Sequence, residues 1–219
     1  MTQKIGILGG TFNPIHVGHL AAAEEVCDRL GLDRILFIPT FLPPHKKERD
    51  VPAARERAEM VRLAISGNRR FSLDDREIRR GGTSYTIDTI RELRRELPDA
   101  EFYFITGLDS FLDIRTWKDW RNLLEECVFA VLSREGSRFR ELERLGITAP
   151  APDDLEALDR RMRDRVTLRS DAAKLELVTI PCLEISSTDI RNRISKGKSA
   201  KYLLPEAVET YIIEHKFYG

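Results

Sequence analysis

The sequence predicts an α/β protein of the doubly wound, Rossmann-like type, in which helices flank a parallel sheet and a small helical part follows at the C-terminus. One short apolar run, residues 4–8, ends at a glycine pair, and a second, residues 34–38, ends at a proline. Both runs are typical of buried strands. Good helix formers fill residues 18–30 between them, and Gly31 follows as a helix cap. A strand, a helix and a strand within about forty residues form a βαβ unit, which implies a parallel sheet.

Helices and strands continue to alternate along the rest of the chain. We therefore predict a single domain over residues 1–219, with a helical subregion from about residue 185 to 219. A loop that contains prolines, residues 39–52, follows the second strand. Further strands are expected near residue 71 and at 101–105, 128–132 and 177–180, and further helices at 53–66, at 85–97 and from about residues 187 and 205.

Residues 135–174 differ from the rest of the chain, because they are dense in charge and are interrupted by Pro150 and Pro152. We expect a peripheral helical segment with mobile connections here. The sequence shows no internal repeat or low-complexity tract. The charged segment is therefore not expected to form a second core.

Composition narrows the class of protein. Hydrophobic residues make up 42% of the chain, enough for a sizeable core, and 36 acidic residues balance 36 basic ones. A net charge of zero argues against binding to duplex nucleic acid. Cys27, Cys127 and Cys182 are far apart and form no C-x-x-C pair, which argues against a disulfide framework or a cysteine zinc site. Without a signal peptide or an apolar run near the roughly 20 residues that cross a bilayer, we expect a soluble cytoplasmic protein that does not bind membranes.

The stretch that joins the first strand to the first helix, GGTFNPIHVGH from Gly9 to His19, contains the first chemical motif. Ligands bind at the carboxyl ends of strands in open parallel sheets, and glycine lets the backbone approach them closely. His16 and His19 lie near the start of the helix, where backbone N–H groups and the helix dipole favour an anion. Histidine adds a donor that can carry charge near neutral pH. The pattern predicts a phosphate site, and histidines that only cap the helix are the alternative.

A second polar motif, ISSTDIR at residues 185–191, lies at the start of a predicted helix near the C-terminus. Ser186 or Ser187 can cap this helix, and Asp189 is favourable in its first turn. Capping does not account for Arg191. One turn into the helix, its guanidinium can direct two donors at a phosphate near the same helix start.

Together the two motifs resemble those of the nucleotidyltransferases with an H-x-G-H sequence, which transfer AMP or CMP and release pyrophosphate. Other stretches resemble one branch, the bacterial nicotinate-mononucleotide adenylyltransferases, over nearly the whole chain except residues 135–174. The resemblance implies transfer of AMP from ATP to nicotinate mononucleotide, which gives nicotinate adenine dinucleotide and pyrophosphate in NAD biosynthesis. The stretches are PPHK at 43–46, SYTIDT at 84–89, GLDSF at 107–111 with Trp117 and Trp120 beyond it, and YLLPEAV at 202–208.

The resemblance also implies a role for each matched residue. The catalytic residues would be His16, His19 and Arg191. The ATP site would include these three together with Gly9, Gly10, Thr11, Phe12, Asp109, Arg134, Ile185, Ser186, Ser187 and Thr188. The nicotinate-nucleotide site would include Lys46, Ser84, Tyr85, Thr86 and Trp117.

Several of these residues have a purely structural alternative. Trp117, which would stack on the pyridine ring, could instead pack in the core or on the surface. Lys46, which would hold a phosphate, could be one of two solvated loop lysines. Thr86 could be only a hydroxyl at a helix start. Asp109, expected at the adenosine ribose, could be a cap, and Arg134, expected near adenine, could be a solvated side chain.

The expected reaction is an in-line attack by the phosphate of nicotinate mononucleotide on the α-phosphorus of ATP. Such a transfer needs no covalent intermediate, because positioning and charge stabilisation supply most of its rate. His16, His19, Lys46 and Arg191 would offset the charge of the two anionic reactants. Mg²⁺ would help, held mainly by substrate phosphates and water, with no protein ligands of its own. The oligomeric state stays open, a homo-oligomer included.

Other functions remain as alternatives. Relatives with the same two motifs use phosphopantetheine or nicotinamide mononucleotide as the acceptor, and Lys46, Thr86 and Trp117 argue against the first of these. A nucleotide sensor without activity would be expected to lose His16, His19 or Arg191, and all three are present. An RNA-binding module, suggested by the histidine-glycine-histidine element of class I aminoacyl-tRNA synthetases, does not suit the short chain and its zero net charge.

Asn13 is the departure from the resemblance within the first motif. The branch commonly has aspartate at this position, and asparagine is a near-isostere without the charge. We expect a slight change in the electrostatics around the phosphates or the metal, and the same reaction.

Overall fold

A computed structural model of the chain describes residues 2–43, 51–147, 152–170, 173–181 and 183–219. Within these residues the fold is built on seven strands: β1 (Lys4–Gly10), β2 (Arg34–Pro39), β3 (Phe71–Leu73), β4 (Glu101–Gly107), β5 (Val128–Leu132), β6 (Arg165–Ser170) and β7 (Ala173–Val178). They form one sheet in the order β3-β2-β1-β4-β5-β7-β6. All neighbouring pairs are parallel except β6 and β7.

Helices cover both faces of this sheet. Because successive side chains of a strand point to opposite faces, each central strand contributes to two apolar layers. Ile7 and Phe104 belong to one layer, and Phe37 and Ile105 belong to the other. The doubly wound arrangement that the sequence predicts is thereby confirmed. The helices of the described residues are α1 (Val17–Leu30), α2 (Ala54–Ile65), α3 (Arg76–Arg80), α4 (Thr86–Glu96), α5 (Leu108–Leu112), α6 (Trp120–Glu126), α7 (Pro152–Asp159), α8 (Ser187–Ile194) and α9 (Glu206–Glu214).

The βαβ unit at the N-terminus follows the sequence pattern closely. The apolar run of β1 pairs in parallel with β2, so that Ile7 lies opposite Leu36. Helix α1 ends at Gly31, whose φ of 62° lies in the left-handed region that glycine adopts without strain. Its backbone N–H donates to the carbonyl of Asp28, which closes the last turn as the sequence predicts.

The charged segment 135–174 is a correction to the sequence prediction. It is not purely helical and peripheral, because it contains the edge strand β6 as well as α7. Val166 and Leu168 of β6 are buried in the core, while Thr167 between them is exposed. Arg165 pairs with the buried Glu176 of β7 at 2.9 Å, which compensates a carboxylate inside the fold. Pro150 lies outside the described residues.

Short helices are the other feature that the sequence analysis did not predict. Helices α3 and α5 have five residues each and α6 has seven, too few to show a helical period. The last parallel strand, β7, also begins several residues before the predicted 177–180. In the part of the chain that the structure describes, no helix combines the length and the hydropathy required to cross a bilayer.

Candidate active site

The carboxyl ends of β1 and β4 lie side by side at the centre of the sheet, where the strand order reverses. This is the position at which open α/β sheets bind ligands. From β1 the chain passes through Gly9 and Gly10 into a turn in which Phe12 has a φ of 47° and is buried. The turn continues through a cis Asn13–Pro14 peptide and ends at His16, the N-cap of α1. The first motif therefore lies where the sequence analysis places it.

The two histidines of this motif lie against each other. The ring centroids of His16 and His19 are 3.8 Å apart, at an angle of 37°. The backbone N–H of His16 donates to Nδ1 of His19 over 3.3 Å, so His19 helps to close the start of α1. Phe12 contacts His19 edge to face at 5.3 Å. Among the described residues, Nδ1 of the buried His16 has no hydrogen-bond partner.

Both imidazoles are neutral at pH 7 in this arrangement. Burial lowers the pKa of His16 to about 4, and the nearby positive charge of Arg134 adds to the effect. The pKa of His19 is also lowered well below its usual value, first by burial and then by His16 and Arg134. An anionic phosphate beside the rings would favour the protonated form, so the pair could take up a proton if such a group were bound.

Asp109 and Arg134 face each other at the ends of β4 and β5. Asp109 lies in the first turn of α5, and Arg134 follows β5, so their side chains meet across the sheet edge with Nε and Oδ1 3.8 Å apart. Both are about half exposed. Gly107 makes this arrangement sterically feasible, since a Cβ there would lie 2.8 Å from Nε of Arg134 and closer still to the carboxylate of Asp109.

The second motif begins helix α8 as predicted. Ser186 is its N-cap, and the hydroxyl accepts a hydrogen bond from the backbone N–H of Asp189 at 3.0 Å. The hydroxyl also donates to the carboxylate of Asp189 over 2.7 Å. Ser186 is thus engaged in capping. Ile185, just before it, packs against the apolar layer that contains α1, and its Cβ is 3.8 Å from where a Cβ on Gly18 would lie.

The remaining residues of the second motif contact the first. Ser187 donates its hydroxyl to the carbonyl of Pro14 over 2.9 Å. Arg191 donates from Nη1 to the carbonyl of Asn13 over 2.8 Å and from Nη2 to the hydroxyl of Thr188 over 3.4 Å. Residues more than 170 positions apart therefore form one polar site at the carboxyl edge of the sheet.

The residues predicted for the nicotinate-nucleotide site lie around the start of α4, as far as the structure describes them. Tyr85 is its N-cap and Thr86 its first residue, with the ammonium group of Lys118 4.6 Å from the Tyr85 ring. Trp117 is partly buried and meets Phe104 edge to face at 5.8 Å, so it packs on the core at the edge of β4. Lys46 lies outside the described residues.

Ser84 has a structural function that the sequence did not indicate. It is only 7% exposed, and its hydroxyl accepts from the backbone N–H of Phe41 at 3.0 Å. Its own N–H donates to the carbonyl of Leu42, and Leu42 bridges to Thr83. Ser84 therefore joins the loop after β2 to the start of α4. Its contact with a ligand stays a prediction.

Two residues outside the sequence motifs hold the first motif in place. Tyr218 donates its hydroxyl to Oδ1 of Asn13 over 2.6 Å. Arg57 is 2% exposed and donates to the carbonyls of Thr11 and Thr40, each over 2.6 Å. The sequence contains a signal for Arg57, because it lies about one helical turn before the buried Val61 and therefore on the buried face of α2. No sequence pattern marks a tyrosine next to the C-terminus.

In the described ranges, no group of three or more histidine, cysteine, aspartate or glutamate side chains is arranged to hold a metal ion. Arg134 is close enough to both histidines to lower their pKa values, and Arg191 bonds the turn that precedes them. These two cations, together with the backbone N–H groups at the starts of α1 and α8, suit an anionic ligand.

The fold and the two joined motifs define a nucleotidyltransferase. Residues 7–193 match the cytidylyltransferase-like family. Within this class the chain belongs to the nicotinate-nucleotide adenylyltransferase family. The probable nicotinate-nucleotide adenylyltransferase of Geobacter metallireducens is 45% identical over 217 residues, which cover 99% of this chain and 98% of that one. Its counterpart in Symbiobacterium thermophilum is 42% identical over 215 residues, which cover 98% and 95%.

Solved structures share the fold. The nicotinic acid mononucleotide adenylyltransferase of Plasmodium falciparum complexed with NaAD has a TM-score of 0.71 and covers 99% of this chain and 97% of that chain. The same protein complexed with APC has a TM-score of 0.70. Each is 19% identical to this chain, so the likeness concerns the fold.

Proposed function

We propose that the chain transfers AMP from ATP to nicotinate mononucleotide, which yields nicotinate adenine dinucleotide and pyrophosphate for NAD biosynthesis. The observation that supports this most directly is the junction of the two motifs. Arg191 of α8 bonds the carbonyl of Asn13, three residues before His16, so cationic and imidazole groups surround one edge of the sheet. Relatives that carry this activity in their names align with the chain over almost its full length.

On this proposal the triphosphate of ATP lies between the starts of α1 and α8. His16 and His19 contact the reacting phosphates, and both are neutral before ATP binds because of burial. Backbone N–H groups at the two helix starts and the hydroxyl of Thr188 add uncharged donors, while Arg191 adds charge. The turn from Gly9 to Phe12 lets the nucleotide approach the backbone.

The adenosine part lies toward β5 and the acceptor toward α4. Asp109 accepts hydrogen bonds from the ribose hydroxyls, with Arg134 on the adenine side. The nicotinate carboxylate binds backbone N–H groups at the start of α4, close to Thr86, where the helix dipole favours an anion. Trp117 provides an aromatic surface for the pyridine ring, and its edge contact with Phe104 fixes its angle.

The reaction is an in-line displacement at the α-phosphorus, in which the phosphate of nicotinate mononucleotide attacks and pyrophosphate leaves. The protein orients both reactants and neutralises the charge that develops on the leaving group. Mg²⁺ fits this site as an ion bound mainly by the substrate phosphates and water, where it would neutralise part of the triphosphate charge. Cytoplasmic location suits the described cysteines, Cys27 and Cys127, which are buried free thiols.

The test is a parallel assay of pyrophosphate release from ATP and Mg²⁺. Nicotinate mononucleotide, nicotinamide mononucleotide and phosphopantetheine are supplied as separate acceptors, and the product is identified by mass. We expect release with the nicotinate nucleotide at the highest kcat/KM. Release with none of the three would contradict the enzyme assignment, and a preference for phosphopantetheine would contradict the acceptor.

One substitution distinguishes the proposed catalytic role of His19 from its structural role at the start of α1. In His19→Asn the side-chain oxygen can still accept the backbone N–H of His16, but the imidazole is lost. We expect kcat to fall by about 10²–10³, as for other lost donors to a developing charge, with little change in the melting temperature. Near-normal turnover in His19→Asn would show that the histidine only closes the helix.

A further inference from the structure

The C-terminus of the chain folds back onto the first motif. Tyr218, the penultimate residue, donates its hydroxyl to Oδ1 of Asn13 over 2.6 Å. Asn13 is 4% exposed and Tyr218 is partly exposed, so this bond is partly buried. We propose that Tyr218 is a positioning residue for the ATP site and that it acts through Asn13. The inference rests on the proposed function and assigns a further residue to it.

Asn13 is the residue through which such an effect can reach the nucleotide. Its backbone carbonyl accepts the hydrogen bond from Nη1 of Arg191, while its side chain accepts the one from Tyr218. The two contacts hold opposite parts of the same residue. A shift of Asn13 therefore changes the anchor of Nη1 of Arg191, which helps to hold this long side chain in one rotamer.

Tyr218 is itself held in place by the end of α9. The backbone N–H of Phe217 donates to the carbonyl of Ile212 over 3.1 Å, which ends the helix. The Phe217 ring stacks on His215 at 5.6 Å and contacts Tyr211 at 6.1 Å. Phe217 and Tyr218 both pack against the apolar layer that contains α1 and α8. The tyrosine hydroxyl thus approaches Asn13 from a fixed direction.

The change that isolates this hydroxyl is Tyr218→Phe. It keeps the ring in its apolar contacts and leaves Oδ1 of Asn13 without this donor. We expect the KM for ATP to rise by about 2- to 12-fold, the range that one neutral hydrogen bond supplies. The KM for nicotinate mononucleotide should stay within about twofold, because the contact is on the Arg191 side of the site.

The matched control is Tyr211→Phe. This substitution also removes a tyrosine hydroxyl from the C-terminal region, but the hydroxyl of Tyr211 donates to the carboxylate of Glu56 on α2 and not to Asn13. Each variant loses a hydrogen bond to an acceptor on another part of the fold. A general loss of stability would therefore affect both, whereas a positioning effect on ATP affects Tyr218→Phe alone.

Binding of the non-reactive analogue α,β-methylene-ATP, measured by calorimetry, gives a readout that does not require turnover. We expect weaker binding to Tyr218→Phe and wild-type binding to Tyr211→Phe. Unchanged analogue affinity in Tyr218→Phe, or an equal loss in both variants, would overturn the proposal. If wild-type protein released no pyrophosphate, the proposed function would fail, whereas an active enzyme with unchanged binding in Tyr218→Phe contradicts only the positioning role.

A double-mutant cycle tests the route through Asn13. In the Asn13→Ala background the acceptor of the hydroxyl is gone, so Tyr218→Phe should change analogue affinity by less than about twofold. If Tyr218→Phe produced its full loss in that background as well, the tyrosine would act by another route and the proposal would be wrong.

Discussion

Burial of His16 makes the stability of the protein depend on pH below about 6.5. The folded protein holds His16 neutral, because burial and Arg134 lower its pKa to about 4, whereas the unfolded chain has the ordinary value of 6.5. Below pH 6.5 the unfolded state binds a proton that the folded state does not. Stability must therefore decrease as the pH falls from 6.5 toward 4.

The size of this effect follows from the two pKa values. Between pH 7.5 and pH 5.5, protonation of the unfolded chain at His16 alone lowers the free energy of unfolding by about 1.3 kcal/mol. The pKa of His19 is lowered too, which adds a loss in the same direction. Glu59, Glu96 and Glu101 have lowered pKa values, so they contribute their own acid loss only at still lower pH.

The assay is urea denaturation of wild-type protein and of His16→Asn at pH 7.5 and 5.5, without nucleotide. Asparagine is a favourable N-cap and keeps the start of α1, but it does not titrate. We expect wild type to lose about 1 kcal/mol more than the variant on acidification. Equal losses in the two proteins would mean that His16 protonates as readily when folded as when unfolded, and the reasoning from burial would be refuted.

Two further predictions concern residues that position the site. Gly107→Ala places a Cβ 2.8 Å from Nε of Arg134 and closer still to Asp109, so these two side chains must move. The KM for ATP should therefore rise about tenfold or more, with little change in the melting temperature. Unchanged ATP kinetics would show that Asp109 and Arg134 do not belong to the nucleotide site. Arg57→Met takes a buried donor from the carbonyl of Thr11 and from the loop after β2, which should lower the free energy of unfolding by about 2–4 kcal/mol in urea titrations. A loss below about 0.5 kcal/mol would show that those carbonyls find other donors.

The parts of the fold that the sequence predicts are those in which local pattern and global structure agree. Apolar runs that stop at glycine or proline give β1 and β2, and the intervening helix formers give α1, with ends within two residues of those predicted. The histidine pair could be placed because its neighbours along the chain form the strand and the helix between which it lies. The residues that make such contacts are close together in the sequence, so a short stretch of sequence is enough to predict them.

The charged segment shows why composition is a weaker guide. Strand β6 has the sequence RVTLRS, in which only Val166 and Leu168 face the core. Its polar and charged residues make the apolar pattern too weak to predict an edge strand. The buried partner of Arg165, Glu176, lies on β7 and is paired only after the two strands join. The burial of this carboxylate is tolerated because a residue of the neighbouring strand pairs with it, and the sequence does not show which residue that is.

Asn13 has contacts in the structure that its place in the sequence motif does not indicate. Its difference from aspartate predicts a slight effect on phosphate or metal electrostatics, as if the side chain faced the ligand. Its Oδ1 instead accepts the hydroxyl of Tyr218, and its carbonyl accepts Arg191. An amide oxygen serves that bond without placing a negative charge beside the anchor of Arg191, where, on the proposed function, it would compete with the triphosphate for the guanidinium. On the same proposal, an aspartate would make the bond to Tyr218 stronger and the field at the phosphates less favourable, so the residue at position 13 would affect both the support of the turn and the attraction of ATP.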